Sequence, residues 1–165
     1  MIFKKTKHTS DLYNTLLFLS RNIYFYKDLK LKDTYETRIY LMFFHYSIIL
    51  LTSKIKGEKP DQTNYNNLFF HIENNLRELG FGDVSVNKKM KDLNKIFYDI
   101  LIKIRNNSSN FEINKILVVK YFENLNNNDK NWHNFNKYFI NFYSFCFELD
   151  SNSVIQDAKN FKLKV

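Results

Sequence analysis

The sequence has little that interrupts a helix and little that assembles a catalytic centre. Its 165 residues include three glycines and one proline, far below ordinary usage. Few breakers and long periodic stretches favour an all-α protein. The single cysteine, Cys146, excludes an internal disulfide and a multi-cysteine metal site. It stands between Phe145 and Phe147 and reads as a small buried hydrophobe. The four histidines, His8, His45, His71 and His133, are far apart and have no metal-ligand spacing. Gly80-Phe81-Gly82 lacks the third glycine and the preceding strand of a dinucleotide fingerprint. A Cys146–His133 pair is conceivable, but nothing local marks it as an activated nucleophile. No enzyme and no cofactor are expected.

The chain also lacks a long apolar run. The longest, Ile39 to Leu51, is broken by His45 and Ser47 and falls short of the about 20 residues that span a bilayer. It reads as a buried core helix. The N-terminal Met1 to His8 is charged, with no apolar stretch after it, so it is not a secretory signal. It is too short before Asp11 for a mitochondrial transit peptide. A soluble, intracellular protein is expected.

What the chain has is apolar mass and positive charge. Apolar residues make up 44% and aromatics 18%, enough for one core in one domain of this length. The net charge is +8, gathered at Lys4, Lys5 and Lys7, at Lys88, Lys89, Lys91 and Lys95, and at Lys159, Lys162 and Lys164. That balance favours phospholipid head groups, RNA or an acidic protein surface without choosing among them.

The periodicity predicts helices over 10–21, 34–54, 62–79, 83–105, 111–124 and 132–149, with a short tail helix from Ser153. Asn22 to Lys32 reads as an irregular connection. Asp33 with Glu36, and Ser153 with Gln156, have the spacing of capping boxes. The expected architecture is a single-domain bundle of six or seven helices over 1–165. The last long helix carries Trp132, Phe135, Tyr138, Phe139, Phe142, Tyr143, Phe145 and Phe147 on more than one face. Core packing accounts for most of them, and a surplus could form a groove for an apolar client helix.

Two of the three glycines fall in Asn75-Leu-Arg-Glu-Leu-Gly-Phe-Gly-Asp-Val-Ser-Val-Asn-Lys-Lys-Met90. Glycine tolerates positive φ, so a tight corner between two helices is predicted there. Gly80 would end the first helix in a left-handed conformation, and Asp83 or Ser85 would cap the second. Arg77, Glu78, Gly80, Gly82 and Asp83 are candidate partner-binding residues. Local ion pairs that fix the corner account for the same residues. Lys88, Lys91 and Lys95 form a stripe apart from the apolar face of the following helix. It is a solvated face by default, and a contact for acidic lipid or RNA as the functional alternative. His45 is either a satisfied core histidine or a partner contact.

The corner, Leu76-Arg-Glu-Leu-Gly-Phe-Gly-Asp83 with Val86 and a basic helix after it, resembles the ubiquinol-cytochrome c chaperone family, in its bacterial branch. Leu12-Tyr13, Arg21, Phe25-Tyr26, Asp33-Thr34, Arg38 and His45 fall in the family's order, so the likeness runs over about 12–98. Lys32 stands where the family has proline, Asn87 where it often has glycine, and Tyr98-Asp-Ile100 replaces a Tyr-Gly-Arg word. The resemblance implies a small, non-catalytic assembly factor of the cytochrome bc1 complex. Such a protein binds newly made cytochrome b, or another subunit of the complex, and holds its apolar helices until later subunits join. A small co-chaperone, the ribosome or an anionic lipid surface are implied as further partners. The implied location is cytoplasmic and peripheral at the inner membrane. The rival reading is a general basic helical module that binds an anionic membrane surface or RNA.

Overall fold

The computed structural model describes residues 11–105 and 109–163. The expected start of the first helix at Ser10, the basic cluster Lys4–Lys7, part of the loop after Arg105, and Lys164 lie outside them. The described residues form a single all-α bundle: α1 (Asp11–Ser20), α2 (Ile23–Lys27), α3 (Tyr35–Ile55), α4 (Gln62–Glu78), α5 (Asp83–Lys103), α6 (Lys115–Tyr121), α7 (Asp129–Glu148) and α8 (Val154–Asp157). Two short 3₁₀ turns follow α6 and α8. Helix α2 was expected to be irregular. Its five residues are held at the start by the Asn22 side chain, which accepts from the Tyr24 N–H.

Helix α3 is the axle of the bundle and packs against α1, α5 and α7. Leu41 to Ile49 are buried without a break, because the helix is apolar around most of its circumference. Phe43 meets Phe97 and Phe69 at ring centroid distances of 5.2 and 5.7 Å, which ties α3 to α5 and α4. Phe44 meets Phe122 and Phe135 at 5.4 and 6.0 Å, which ties it to the α6 end and to α7. The aromatic surplus of α7 goes largely into this core. Trp132, Phe135, Tyr138, Phe139 and Phe142 are buried, Tyr143 and Phe145 pack partly buried against them, and Phe147 reaches solvent.

The helix ends follow local chemistry, and three expected caps are corrected. Thr34, not Asp33, caps α3: its hydroxyl accepts from the Thr37 N–H at 3.2 Å, and Asp33 instead pairs with Arg38 at 2.5 Å. Neither Asp83 nor Ser85 caps α5; Gly82 holds that position with no side-chain bond. Ser153 makes no side-chain cap at α8, and Gln156 donates to Asp11 on α1 at 3.2 Å. The helix expected from Phe111 begins only at Lys115. Phe111 and Ile113 are both buried with exposed Glu112 between them, and Ile113 forms an isolated antiparallel bridge with Arg105. That alternation is the period of extended chain rather than of helix.

At the far end of α3, Lys56 donates to the carbonyls of Leu149 at 2.7 Å and Cys146 at 3.3 Å. A cation there satisfies open carbonyls at the end of α7. Lys30, between α2 and α3, has φ +57°. Its carbonyl accepts from Asn124 at 2.6 Å and that of Leu29 from Asn131 at 3.3 Å, so the chain around α7 holds this left-handed turn in place.

Candidate functional site

The glycine corner is a Schellman turn. Gly80, at φ +93°, donates its N–H to the Arg77 carbonyl at 3.0 Å, and Phe81 donates to the Leu76 carbonyl at 3.3 Å. These are the two bonds that close a helix through a left-handed residue. Gly82 is different. Its φ is −72°, open to any residue, and a Cβ there would meet nothing within 4 Å.

Arg77 locks the corner from outside. It bonds Glu73 one turn back at 3.0 Å and also Asp83 in the first turn of α5. Asp83 there complements the positive end of the helix dipole. The hydrogen bonds it donates to Asp83 and Glu73 hold the guanidinium pKa above its ordinary value. Glu78, expected to share in local pairing, is exposed and is not among Arg77's ion-pair partners.

Inside the corner lies an apolar groove of about 440 Å³. Three helices build it: Tyr35, Ile39 and Tyr40 from the start of α3, Leu76, Leu79 and Phe81 from the end of α4 and the turn, and Leu93 and Ile96 from the middle of α5. Glu36, Lys89 and Asp92 stand on its rim. The Lys89 ammonium sits 4.6 Å from the centroid of the Phe81 ring, a cation–π contact that fixes one wall. Leu79 is 59% exposed and Phe81 40%. The Tyr35 hydroxyl, also on the wall, is buried with no hydrogen-bond partner, and burial pushes its pKa up. A buried hydroxyl without a partner is costly. Sequence reasoning named the corner but missed Tyr35, Ile39, Leu93 and Ile96, because no local pattern shows where three helices converge.

The other candidates separate. Lys88, Lys91 and Lys95 are exposed on the outer side of α5, away from the groove. His45 is fully buried. Its Nδ1 lies 2.6 Å from the Leu41 carbonyl and its Nε2 2.8 Å from the Tyr138 hydroxyl. A carbonyl only accepts, so Nδ1 carries the proton and Nε2 accepts from tyrosine. Both ring nitrogens are used, the core reading of this histidine. Burial lowers its pKa to about 4. Cys146 is buried and His133 exposed, and 13 residues of one helix, about 20 Å, keep the conceivable dyad apart.

Arg21, Tyr26, Asp33 and Arg38 come together with Ile23 around a second, shallow pocket. Tyr26 donates to the Ser20 carbonyl at 2.7 Å, and the Asp33–Arg38 pair closes the other side.

The site is an apolar groove with a charged rim on an all-α bundle. The family model described as Ubiquinol-cytochrome C chaperone matches residues 27–110. The chain belongs to that family, whose name implies assistance to the ubiquinol-cytochrome c reductase complex and a non-catalytic role. The matched span holds the whole of α3, α4 and α5, and with them the corner and the groove. Neither the curated proteins nor the solved structures compared gave a match. No helix among the described residues is long and apolar enough to cross a membrane.

Proposed function

We propose that this protein is an assembly chaperone of the cytochrome bc1 complex that binds newly made cytochrome b and holds its apolar helices until later subunits join. The observation that carries the reading is the apolar groove at the glycine corner, inside the family-matched part of the chain. Leu79 and Phe81 offer the client open apolar contact. The Schellman turn and the Arg77 clamp hold these side chains in place before binding, which lowers the ordering cost of association. Arg77, Glu78, Gly80, Gly82 and Asp83 thus act mainly by shaping the rim. The protein works peripherally at the inner membrane, where an apolar client is made, beside a small co-chaperone or the ribosome. A second subunit of the complex could occupy the same groove.

The test is a pull-down of the tagged protein from gently solubilised native membranes, beside a Leu79→Asp/Phe81→Ser variant and an Arg77→Ala/Asp83→Ala variant. Cytochrome b should co-purify with the parent chain and be lost from the first variant. The second should retain less of it. Both groove substitutions are at exposed side chains, so folding is checked by circular dichroism. Recovery of only lipid or ribosomes, unchanged in both variants and stripped by salt, would replace the chaperone reading with a general basic module.

A further inference from the structure

The outer face of α5 carries a regular pattern that the client groove does not use. Val84, Lys88, Lys91, Lys95, Tyr98 and Ile102 are spaced by four, three, four, three and four residues. At about 100° per residue all six lie within about 40° of one line along the helix. The opposite side carries Val86, Phe97 and Ile100, which are buried in the core. The six are exposed, Val84 by 86% and Ile102 by 76%. No acidic residue falls on that line. Asp99 lies to one side and is held by Lys103 at 2.6 Å and Lys120 at 2.8 Å. Asp92 turns to the groove rim.

We infer that this face of α5 docks the protein on an anionic lipid bilayer. The three lysines form an unneutralised cationic centre, complementary to lipid phosphates. The aliphatic ends distinguish the partner. Val84 and Ile102 have nothing to do against a nucleic-acid backbone, which is bound by charge. Against a bilayer they sink toward the acyl boundary while the lysines between them extend to the head groups. Tyr98 suits the same interface, with an apolar ring and a polar tip. The stripe is about 27 Å long, enough to lay α5 along the surface. This deepens the peripheral placement proposed above. Vesicle binding is read separately from client capture, so either can fail without the other.

The experiment is flotation of the full-length protein with vesicles of phosphatidylcholine alone and with added phosphatidylglycerol, alongside binding to a mixed-sequence single-stranded RNA. Three variants accompany it: Lys88→Glu/Lys91→Glu/Lys95→Glu; Val84→Asn/Ile102→Asn; and Lys130→Glu/Lys137→Glu/Lys159→Glu, which makes the same charge change on other elements. The parent chain should float only with anionic vesicles. The first variant should bind at least about a hundredfold more weakly, at about fivefold for each lysine lost. The asparagine variant should weaken vesicle binding severalfold and leave RNA binding alone, and the third should change little. The inference is overturned if the parent chain does not float with anionic vesicles. It is equally overturned if the third variant loses as much as the first. Vesicle binding indifferent to Val84 and Ile102, with tighter binding to RNA, would assign the face to nucleic acid.

Discussion

The buried His45–Tyr138 pair makes stability depend on pH in a window that lies mostly above the ordinary carboxylate range. Burial lowers the His45 pKa from 6.5 to about 4. As pH falls below 6.5 the unfolded chain takes up the proton and the folded one does not, so acid favours unfolding. The gap is worth about 3 kcal/mol in full, at about 1.4 kcal/mol per pH unit. At pH 5 about 2 kcal/mol of it should be lost relative to pH 7.5, a large share of a typical stability of about 5–15 kcal/mol. Urea unfolding at the two pH values, for the parent chain and for His45→Leu, reads this directly. The variant is less stable at pH 7.5, because it strands the Tyr138 hydroxyl, but its loss on acidification should be smaller by about 2 kcal/mol. Tyr138→Phe keeps the titrating ring and leaves Nε2 buried without a donor, at a cost of about 1–3 kcal/mol at pH 7.5. Parallel losses in the parent chain and His45→Leu would refute the reasoning.

The two corner glycines should behave unequally. Gly80→Ala forces a side chain into φ +93° and should cost about 1–2 kcal/mol in urea unfolding, whereas Gly82→Ala meets no strain and should cost only the poorer capping by alanine, about 0.5 kcal/mol. Asp99 is partly buried, which works against its charge, yet hydrogen bonds from Lys103, Lys120 and Tyr121 hold its carboxyl well below the usual range. It stabilises the fold above its ordinary value of 3.8, and that contribution is lost as pH falls through the lower folded value. Asp99→Asn should lower the urea midpoint at pH 7 and shrink the loss of stability seen on acidification below pH 3.8.

The helices were legible because their apolar residues recur at helical spacing and because few residues stop them. The left-handed Gly80 was legible for the complementary reason: few residues tolerate that position. Caps were less so. Asp33 and Thr34 are both good acceptors side by side, and the choice went to Thr34 because Arg38, a turn away, claims the aspartate. Asp83 was likewise drawn off by Arg77. Phe111 and Ile113 continue an apolar pattern that looks helical in a short window, and only the bridge to Arg105 shows the chain extended. The groove was beyond local reading altogether. Ile39 and Ile96 look like ordinary core positions, and what leaves a gap between them is how the ends of α3 and α4 meet the middle of α5.

The lone thiol of Cys146 lies fully inside the bundle, and burial pushes its pKa up. A disulfide reagent therefore meets no reactive thiolate until α7 swings away from α3. The rate at which the native protein takes up such a reagent is thus a built-in clock for opening of that segment. It needs no introduced label, and it lies on a different helix pair from the groove. Slower labelling on loading the groove would mean that occupancy there tightens the whole bundle, whereas unchanged labelling would make the α3–α4–α5 end a binding module mechanically insulated from α7.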